Sequence, residues 1–151
     1  MKKWSLLAAA ILFLLIPGKS AGTDIRDLEP VAAVQILTVP EGIRIITDTG
    51  AEGYGPDLKL ALENLHSSAP SRIFLDTAQY LLTDREDYLD ELYPVFRPAC
   101  RISLAKDQVD LELAVRYLKI HGENTTLLQY RGGETNLPVL YSKEGRSQIV
   151  L

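Results

Sequence analysis

Apolar residues in the segment 31–47 have the spacing of β-strands. Val31–Val39 is nearly continuous in apolar and branched residues, which is typical of a buried strand. Ile43–Thr47 has the same character and follows the turn residues Pro40-Glu41-Gly42. Two such runs separated by a short turn predict a β-hairpin over about 31–47.

Helical spacing begins after this hairpin. Four apolar residues recur at i, i+3, i+4 and i+7, and this spacing places them on one face of a helix over about 57–66: Leu58, Ala61, Leu62 and Leu65. Pro56 suits the first helical position, because proline has a fixed φ and no N–H to leave unpaired. Gly53–Gly55 is then expected to be a loop.

The central part of the chain predicts a strand followed by a capped helix. Ser71–Thr83 is rich in Ile, Phe, Leu and Tyr and is interrupted by Asp76 and Gln79, so we expect a central strand. Thr83 and Glu86 have the spacing of a capping box. The helix they would start is expected to reach about Tyr93 and to end at Pro94.

The last third predicts a strand, a helix and a terminal hairpin. Arg101–Leu104 resembles a short strand, and a helix over about 109–121 is expected to end at Gly122. Two apolar stripes predict that this helix is buried on two sides: Leu111, Ala114, Val115 and Leu118 in one, and Leu113, Tyr117 and Ile120 in the other. A polar loop around 131–133 precedes the hairpin of 137–141 and 147–151, joined by a turn at 143–145.

The predicted order is therefore ββαβαβα followed by ββ. Strands and helices mix without strict βαβ alternation, so the expected fold is α+β, a single domain over 22–151 with a mixed sheet and about three helices. A chain of 151 residues also fits one domain.

Residues 1–21 have the order of a secretory signal peptide. The basic start Met1-Lys2-Lys3 precedes an unbroken apolar run, Leu6–Ile16, which Pro17-Gly18 ends. A run of that length is shorter than the roughly 20 apolar residues of a spanning helix. We expect cleavage near Ala21 and export of the protein, and the alternative is an uncleaved N-terminal anchor.

Charge excludes one class of partner. Residues 1–21 contain three lysines and no acidic residue, so the remaining chain has 13 basic and 20 acidic residues, a net charge of −7. Nucleic-acid binding depends on phosphate neutralisation by Lys and Arg. We therefore expect no nucleic-acid partner.

Known chemical motifs do not occur in the sequence. GxSxG, the Walker loop, GxGxxG, HExxH and CxxC are all missing. We interpret Cys100 as a small buried residue. We interpret His66 and His121 as cations near the C-termini of helices. Three carboxylate pairs lie in polar helix turns: Asp87/Asp90, Asp107/Asp110 and Asp110/Glu112. We therefore assign no catalytic, cofactor-binding or metal-binding residue. Asn124-Thr125-Thr126 matches the N-glycosylation sequon.

Several segments, in order, resemble the Ger(x)C family, the C-subunit lipoproteins of bacterial spore germinant receptors. Asp24–Glu29 before an apolar strand resembles the family's opening, and Ala61–Leu65 resembles the helix before its third strand. Arg72–Leu82 is similar to the family's next segment, with Thr77 or Ala78 where the family has histidine, and Tyr88–Leu92 is similar to its following helix. The family's lipid-bearing cysteine has no counterpart in 17–22.

The resemblance implies an N-terminal-like domain of this family without enzymatic activity. It would act as an exported interaction or binding module, outside the cytoplasm and at the outer face of a membrane, in spore germination. Its partners would be membrane protein subunits of a germinant receptor, and it would need no cofactor. The alternative is a small exported hydrolase or ligand-binding protein of another family.

Overall fold

The computed structural model describes residues 28–121, 125–134, 136–143 and 146–150. The predicted signal peptide, the predicted helix end at Gly122 and the sequon residue Asn124 lie outside these residues. Among the described residues, no helix is both long and apolar enough to cross a membrane.

The described chain folds as α+β, as the sequence predicted, with four α-helices where about three were expected. The strands are β1 (Leu28–Pro30), β2 (Ala33–Val39), β3 (Gly42–Thr47), β4 (Glu52–Gly55), β5 (Arg72–Phe74), β6 (Tyr80–Thr83), β7 (Arg101–Ala105), β8 (Thr125–Thr126), β9 (Val139–Lys143) and β10 (Arg146–Val150). The helices are α1 (Leu58–Ser68), α2 (Tyr88–Leu92), α3 (Leu111–His121) and α4 (Leu127–Arg131).

One mixed sheet organises the molecule. Its strand order is β10-β9-β7-β6-β2-β3-β4, with β8 paired beside β7. The central strands β2, β6, β7 and β9 run parallel, and an antiparallel hairpin lies at each end. Both predicted hairpins, β2–β3 and β9–β10, are therefore confirmed. A separate parallel pair joins β1 to β5.

The two faces of the sheet bury different helices. On one face, β2 and β3 pack with α1, α2 and α4 through residues such as Ile36, Ile45, Leu65, Leu89 and Leu127. On the other face, α3 packs against β2, β6, β7 and β9 through Leu111, Ala114 and Leu118. Period-2 alternation along the strands creates this division, because successive side chains point to opposite faces.

Several predictions about local structure are wrong. The segment 53–55 is not a loop but the edge strand β4, and Pro56 lies before the helix, whose N-cap is Asp57. The Asp57 Oδ1 accepts a hydrogen bond from the Leu60 N–H at 2.8 Å. This carboxylate therefore satisfies an N–H that has no partner within the helix.

The segment 71–83 is two strands rather than one. A 3₁₀ turn, Leu75–Thr77, separates β5 from β6. The Thr77 hydroxyl accepts a hydrogen bond from the Val31 N–H at 3.0 Å and lies 2.7 Å from the Phe74 carbonyl oxygen, to which it donates. These contacts fold the chain back, so that β5 pairs with β1 while β6 joins the main sheet.

The predicted capping box at Thr83 is also wrong. Thr83 is buried at the end of β6, and its Oγ1 accepts from the Arg85 N–H at 3.2 Å. Helix α2 starts later, at Tyr88, although it ends where expected. The box forms elsewhere, at Thr126 and Gln129, where it starts α4, a helix that the sequence analysis did not predict.

Candidate binding site

An open recess of about 440 Å³ lies where the first hairpin meets the edge of the sheet. The β2–β3 turn forms one side of it, and the end of β4 with Pro56 forms the other. Its lining is Val39, Pro40, Glu41, Ile43, Arg44, Tyr54, Gly55 and Pro56. A recess of this size lies within the usual range of small-ligand and side-chain sites. We call it the hairpin pocket.

Close backbone packing fixes both walls of the hairpin pocket. Gly42 has a φ of +138°, and a Cβ at this position would lie 2.2 Å from the Gly55 carbonyl oxygen. A Cβ on Gly55 would lie 2.3 Å from the Ala61 nitrogen of α1. Only glycine permits these approaches, so the hairpin tip, β4 and α1 are held together at short range.

A polar network forms one wall of the hairpin pocket. The Arg44 Nη2 donates to both carboxylate oxygens of Glu52, at 2.8 and 2.9 Å, and Nη1 donates to the Gln108 Oε1 at 2.9 Å. The Tyr54 hydroxyl donates to the Glu52 Oε2 at 2.8 Å. The Arg44 guanidinium also lies 5.4 Å from the centre of the Tyr54 ring, within cation–π range.

This network fixes the protonation of its own members. The hydrogen bond from Tyr54, followed by that from Arg44, holds the pKa of Glu52 below its usual value. The same bond to Glu52 raises the pKa of Tyr54, with burial adding to it. At neutral pH Glu52 is therefore ionised and Tyr54 protonated. The hydrogen bonds to Glu52 hold the side chains of Tyr54 and Arg44 in place in the pocket wall.

The backbone edge of β4 beside the hairpin pocket is covered. The Tyr54 N–H donates to the Asn64 Oδ1 of α1 at 3.0 Å. Gly53 is buried under the same helix. The helix approaches so closely that a Cβ on Gly53 would lie 2.4 Å from the Ala61 carbonyl oxygen. An open strand edge can accept a further strand, and a side chain that takes its N–H opposes such pairing. The Asn64 side chain therefore opposes addition of a further strand at Tyr54.

The rim of the hairpin pocket carries one acidic residue. Glu41 lines the pocket and is exposed, and the ion pairs of the described residues do not involve it. The positive charge in the lining, Arg44, is paired with Glu52. The unpaired charge among the lining residues is therefore negative, as is the net charge of the chain.

Cys100 lies in the core, as the sequence predicted. Its side chain has no exposed surface. Burial raises the pKa of its thiol to about 12, since removal from water disfavours the thiolate, and the positive charge of Arg97 opposes this only in part. A thiol in this environment stays protonated at neutral pH and is a poor nucleophile.

The structure does not bring Cys100 and the two histidines into one site. His66 lies exposed in the last turn of α1, as predicted. His121 is exposed at the end of α3, where its ring centre lies 4.7 Å from that of Tyr117. Both positions suit a cation near a helix C-terminus.

Three of the five carboxylates in the predicted pairs have local structural partners, and Asp107 and Asp110 lie before α3 and not in a helix turn as predicted. Asp87 pairs with Arg85 at 2.6 Å, and Glu112 pairs with Arg116 one turn along α3 at 3.0 Å. The Asp110 Oδ1 accepts from the Leu113 N–H at 3.0 Å, at the start of the same helix. In the described part of the chain, no three His, Cys, Asp or Glu side chains come together as a metal site.

Sequence reasoning missed the hairpin pocket because it assigned 53–55 to a loop. The glycines of Gly53-Tyr54-Gly55 alternate with larger residues, a pattern that marks close approach of a strand to another backbone. That signal predicts a helix packed on the strand, but it does not reveal that Pro40 and Pro56 would face a common recess.

Helix α3 presents a second apolar surface. Leu118 has 1% of its surface exposed, whereas Ile120 has 70% and Leu113 has 38%. The prediction that this helix is buried on two sides is therefore wrong, since only the stripe through Leu111, Ala114 and Leu118 faces the sheet.

Comparison with known proteins found no matching family model, no similar curated protein and no similar solved structure.

Proposed function

We propose that this protein is an exported, non-enzymatic binding module whose partner contacts the hairpin pocket. The observation that carries the proposal is the pocket itself, an apolar-floored recess whose walls are fixed by backbone contacts at Gly42 and Gly55. Fixed walls favour binding, because little conformational entropy is lost when a ligand enters a preformed site.

The chemistry of the pocket supports binding over catalysis. A general base needs a group that can take a proton near neutral pH. Here Glu52 accepts hydrogen bonds from both Arg44 and Tyr54, and its pKa is lowered. The raised pKa of the Cys100 thiol likewise argues against a nucleophilic role for this cysteine, because the thiol stays protonated at neutral pH.

The resemblance to the Ger(x)C family supports the choice of partner. We propose that the chain acts outside the cytoplasm with membrane protein subunits of a spore germinant receptor and reaches the membrane through them. The signal-peptide pattern of residues 1–21 supports export. The acidic chain that follows suits a protein partner and not a nucleic acid.

Site-specific photo-cross-linking in the producing cell tests this function. A photoreactive benzoylphenylalanine replaces Pro40, which is exposed at the tip of the hairpin, and in a matched control it replaces Glu91, which is exposed on α2. We expect a discrete adduct with an extracytoplasmic membrane protein from position 40 and none from position 91. Identical adducts from both positions, or none from either, would contradict the proposal.

Substrate panels test the non-enzymatic part of the proposal. The purified mature protein is assayed on ester, peptide and glycoside substrates beside Cys100→Ala and His121→Ala variants. We expect the same background rate from all three proteins. Turnover by the wild type that either substitution abolishes would instead support the hydrolase alternative.

A further inference from the structure

We propose that the hairpin pocket binds an apolar side chain flanked by basic residues, presented by an extended segment of the partner protein. This inference rests on the proposed function and adds the chemistry of the ligand to it. Three features of the described residues carry it: the apolar floor, the unpaired acidic rim and the covered strand edge.

The floor of the hairpin pocket is suited to an aliphatic or aromatic group. Ile43 is 7% exposed, Val39 is half-buried, and Pro40 and Pro56 close the two sides. Prolines and a β-branched valine lose little conformational freedom when they are covered. Burial of an apolar side chain against them is therefore favourable in proportion to the area removed from water.

The rim selects for positive charge. Glu41 lines the hairpin pocket, is exposed and takes part in none of the ion pairs of the described residues. Arg44 does not balance this charge, because its Nη1 and Nη2 donate to Gln108 and Glu52. An acidic ligand would meet repulsion at this rim, whereas a Lys or Arg beside the bound group meets the carboxylate of Glu41.

The covered edge of β4 determines how the partner segment binds. Asn64 takes the Tyr54 N–H, which opposes addition of the segment to the sheet as a further strand. We therefore expect affinity to come from one anchoring side chain and its charged neighbours. We therefore expect binding to weaken at high salt, as screening reduces the attraction between exposed charges.

Three peptides separate the apolar and charged contributions. The first has a leucine between two lysines, the second a serine between two lysines, and the third a leucine between two glutamates, each capped and flanked by glycines. They are titrated into the ¹⁵N-labelled mature protein, and amide chemical shifts are followed. We expect saturable shifts at Ile43, Arg44 and Gly55 with the first peptide, and binding at least about fivefold weaker with the other two.

Charge reversal at the rim provides the decisive variant. Glu41→Lys should weaken binding of the leucine–lysine peptide by about fivefold and improve binding of the leucine–glutamate peptide. Glu91→Lys makes the same change of charge on α2 and should leave both affinities unchanged. Matching thermal unfolding of the two variants and the wild type shows that both substitutions preserve the fold.

The outcomes separate this inference from the proposed function. Equal binding of all three peptides, an equal effect of both charge reversals, or shifts confined to other surfaces would overturn it. Concentration-dependent shifts at Ile43 and Arg44 without any peptide would identify a second copy of the chain as the occupant and overturn it too. If the peptides fail while position 40 still cross-links to a membrane protein, the ligand chemistry is wrong and the binding function stands.

Discussion

The side-chain amide of Gln35 accepts a hydrogen bond from the Val109 N–H, with 3.1 Å between Oε1 and N. Its Nε2 donates to the Asp107 carbonyl oxygen at 2.8 Å. Gln35 lies in β2 and has no exposed surface. One buried side chain thus satisfies two backbone groups of the segment that leads into α3, more than 70 residues away in sequence, and attaches that segment to the centre of the sheet.

Replacement of Gln35 should destabilise the fold. Gln35→Leu keeps a side chain of similar size but leaves the Val109 N–H and the Asp107 carbonyl without this partner. We expect the free energy of unfolding to fall by about 2–4 kcal/mol, since each unpaired buried polar group costs about 1–3 kcal/mol. Urea unfolding measures this loss of free energy. The same change at the exposed Gln79 is the control, and a Gln35→Leu loss no larger than the control's would show that the bonds contribute little.

Helix α3 offers a matched pair of truncations. Leu118→Ala removes a side chain buried against the sheet and should lower the free energy of unfolding by about 2–5 kcal/mol. Ile120→Ala removes an exposed side chain two residues away and should cost less than about 0.5 kcal/mol. Chemical denaturation of both variants measures the difference. Equal losses would mean that both stripes of the helix are covered.

Elements with strong local patterns could be predicted from the sequence. The β2–β3 hairpin follows from the apolar run to Val39 and the turn residues at 40–42, and α1 and α3 follow from their 3.6-residue spacing. The α+β class follows from the mixed order of these elements. In each case the signal lies within a few residues of sequence.

Features that depend on distant contacts could not be predicted in this way. The division of 71–83 requires the bond between Thr77 and Val31, and the strand at 52–55 requires α1 to pack over Gly53. Both stripes of α3 are apolar, and their spacing alone does not determine which one meets the sheet. The hairpin pocket likewise arises only when Pro40 and Pro56, from separate turns, meet at one recess.

The buried thiol of Cys100 should lower the free energy of unfolding at alkaline pH. Burial raises the pKa of its thiol from the ordinary value of 9.0 to about 12. Above pH 9 the unfolded chain loses a proton that the folded chain keeps, so its free energy falls relative to the folded state by about 1.4 kcal/mol per pH unit. Between pH 8 and pH 10 the wild type should therefore lose about 1.4 kcal/mol more than Cys100→Ala, measured by urea unfolding at each pH. Parallel pH profiles would mean that the thiol is accessible to water.

Intact-mass spectrometry of the protein from its native envelope tests export. We predict a cleaved, unlipidated chain that begins between Ala21 and Thr23, because 17–22 contain small residues and no cysteine to acylate. The full-length chain produced without the export machinery provides the reference mass. A mass that retains the first sixteen residues would show that the apolar run is an anchor.

Hydrogen exchange of the protein, alone and with the membrane partner that co-purifies from the native envelope, shows whether that partner contacts the hairpin pocket. We predict that the partner adds protection at the segments 39–44 and 54–56, which contain the lining residues of the hairpin pocket, and leaves the exchange of α3 unchanged. Added protection at 111–121, with the pocket segments exchanging as in the free protein, would contradict it and place the contact on the exposed stripe of α3.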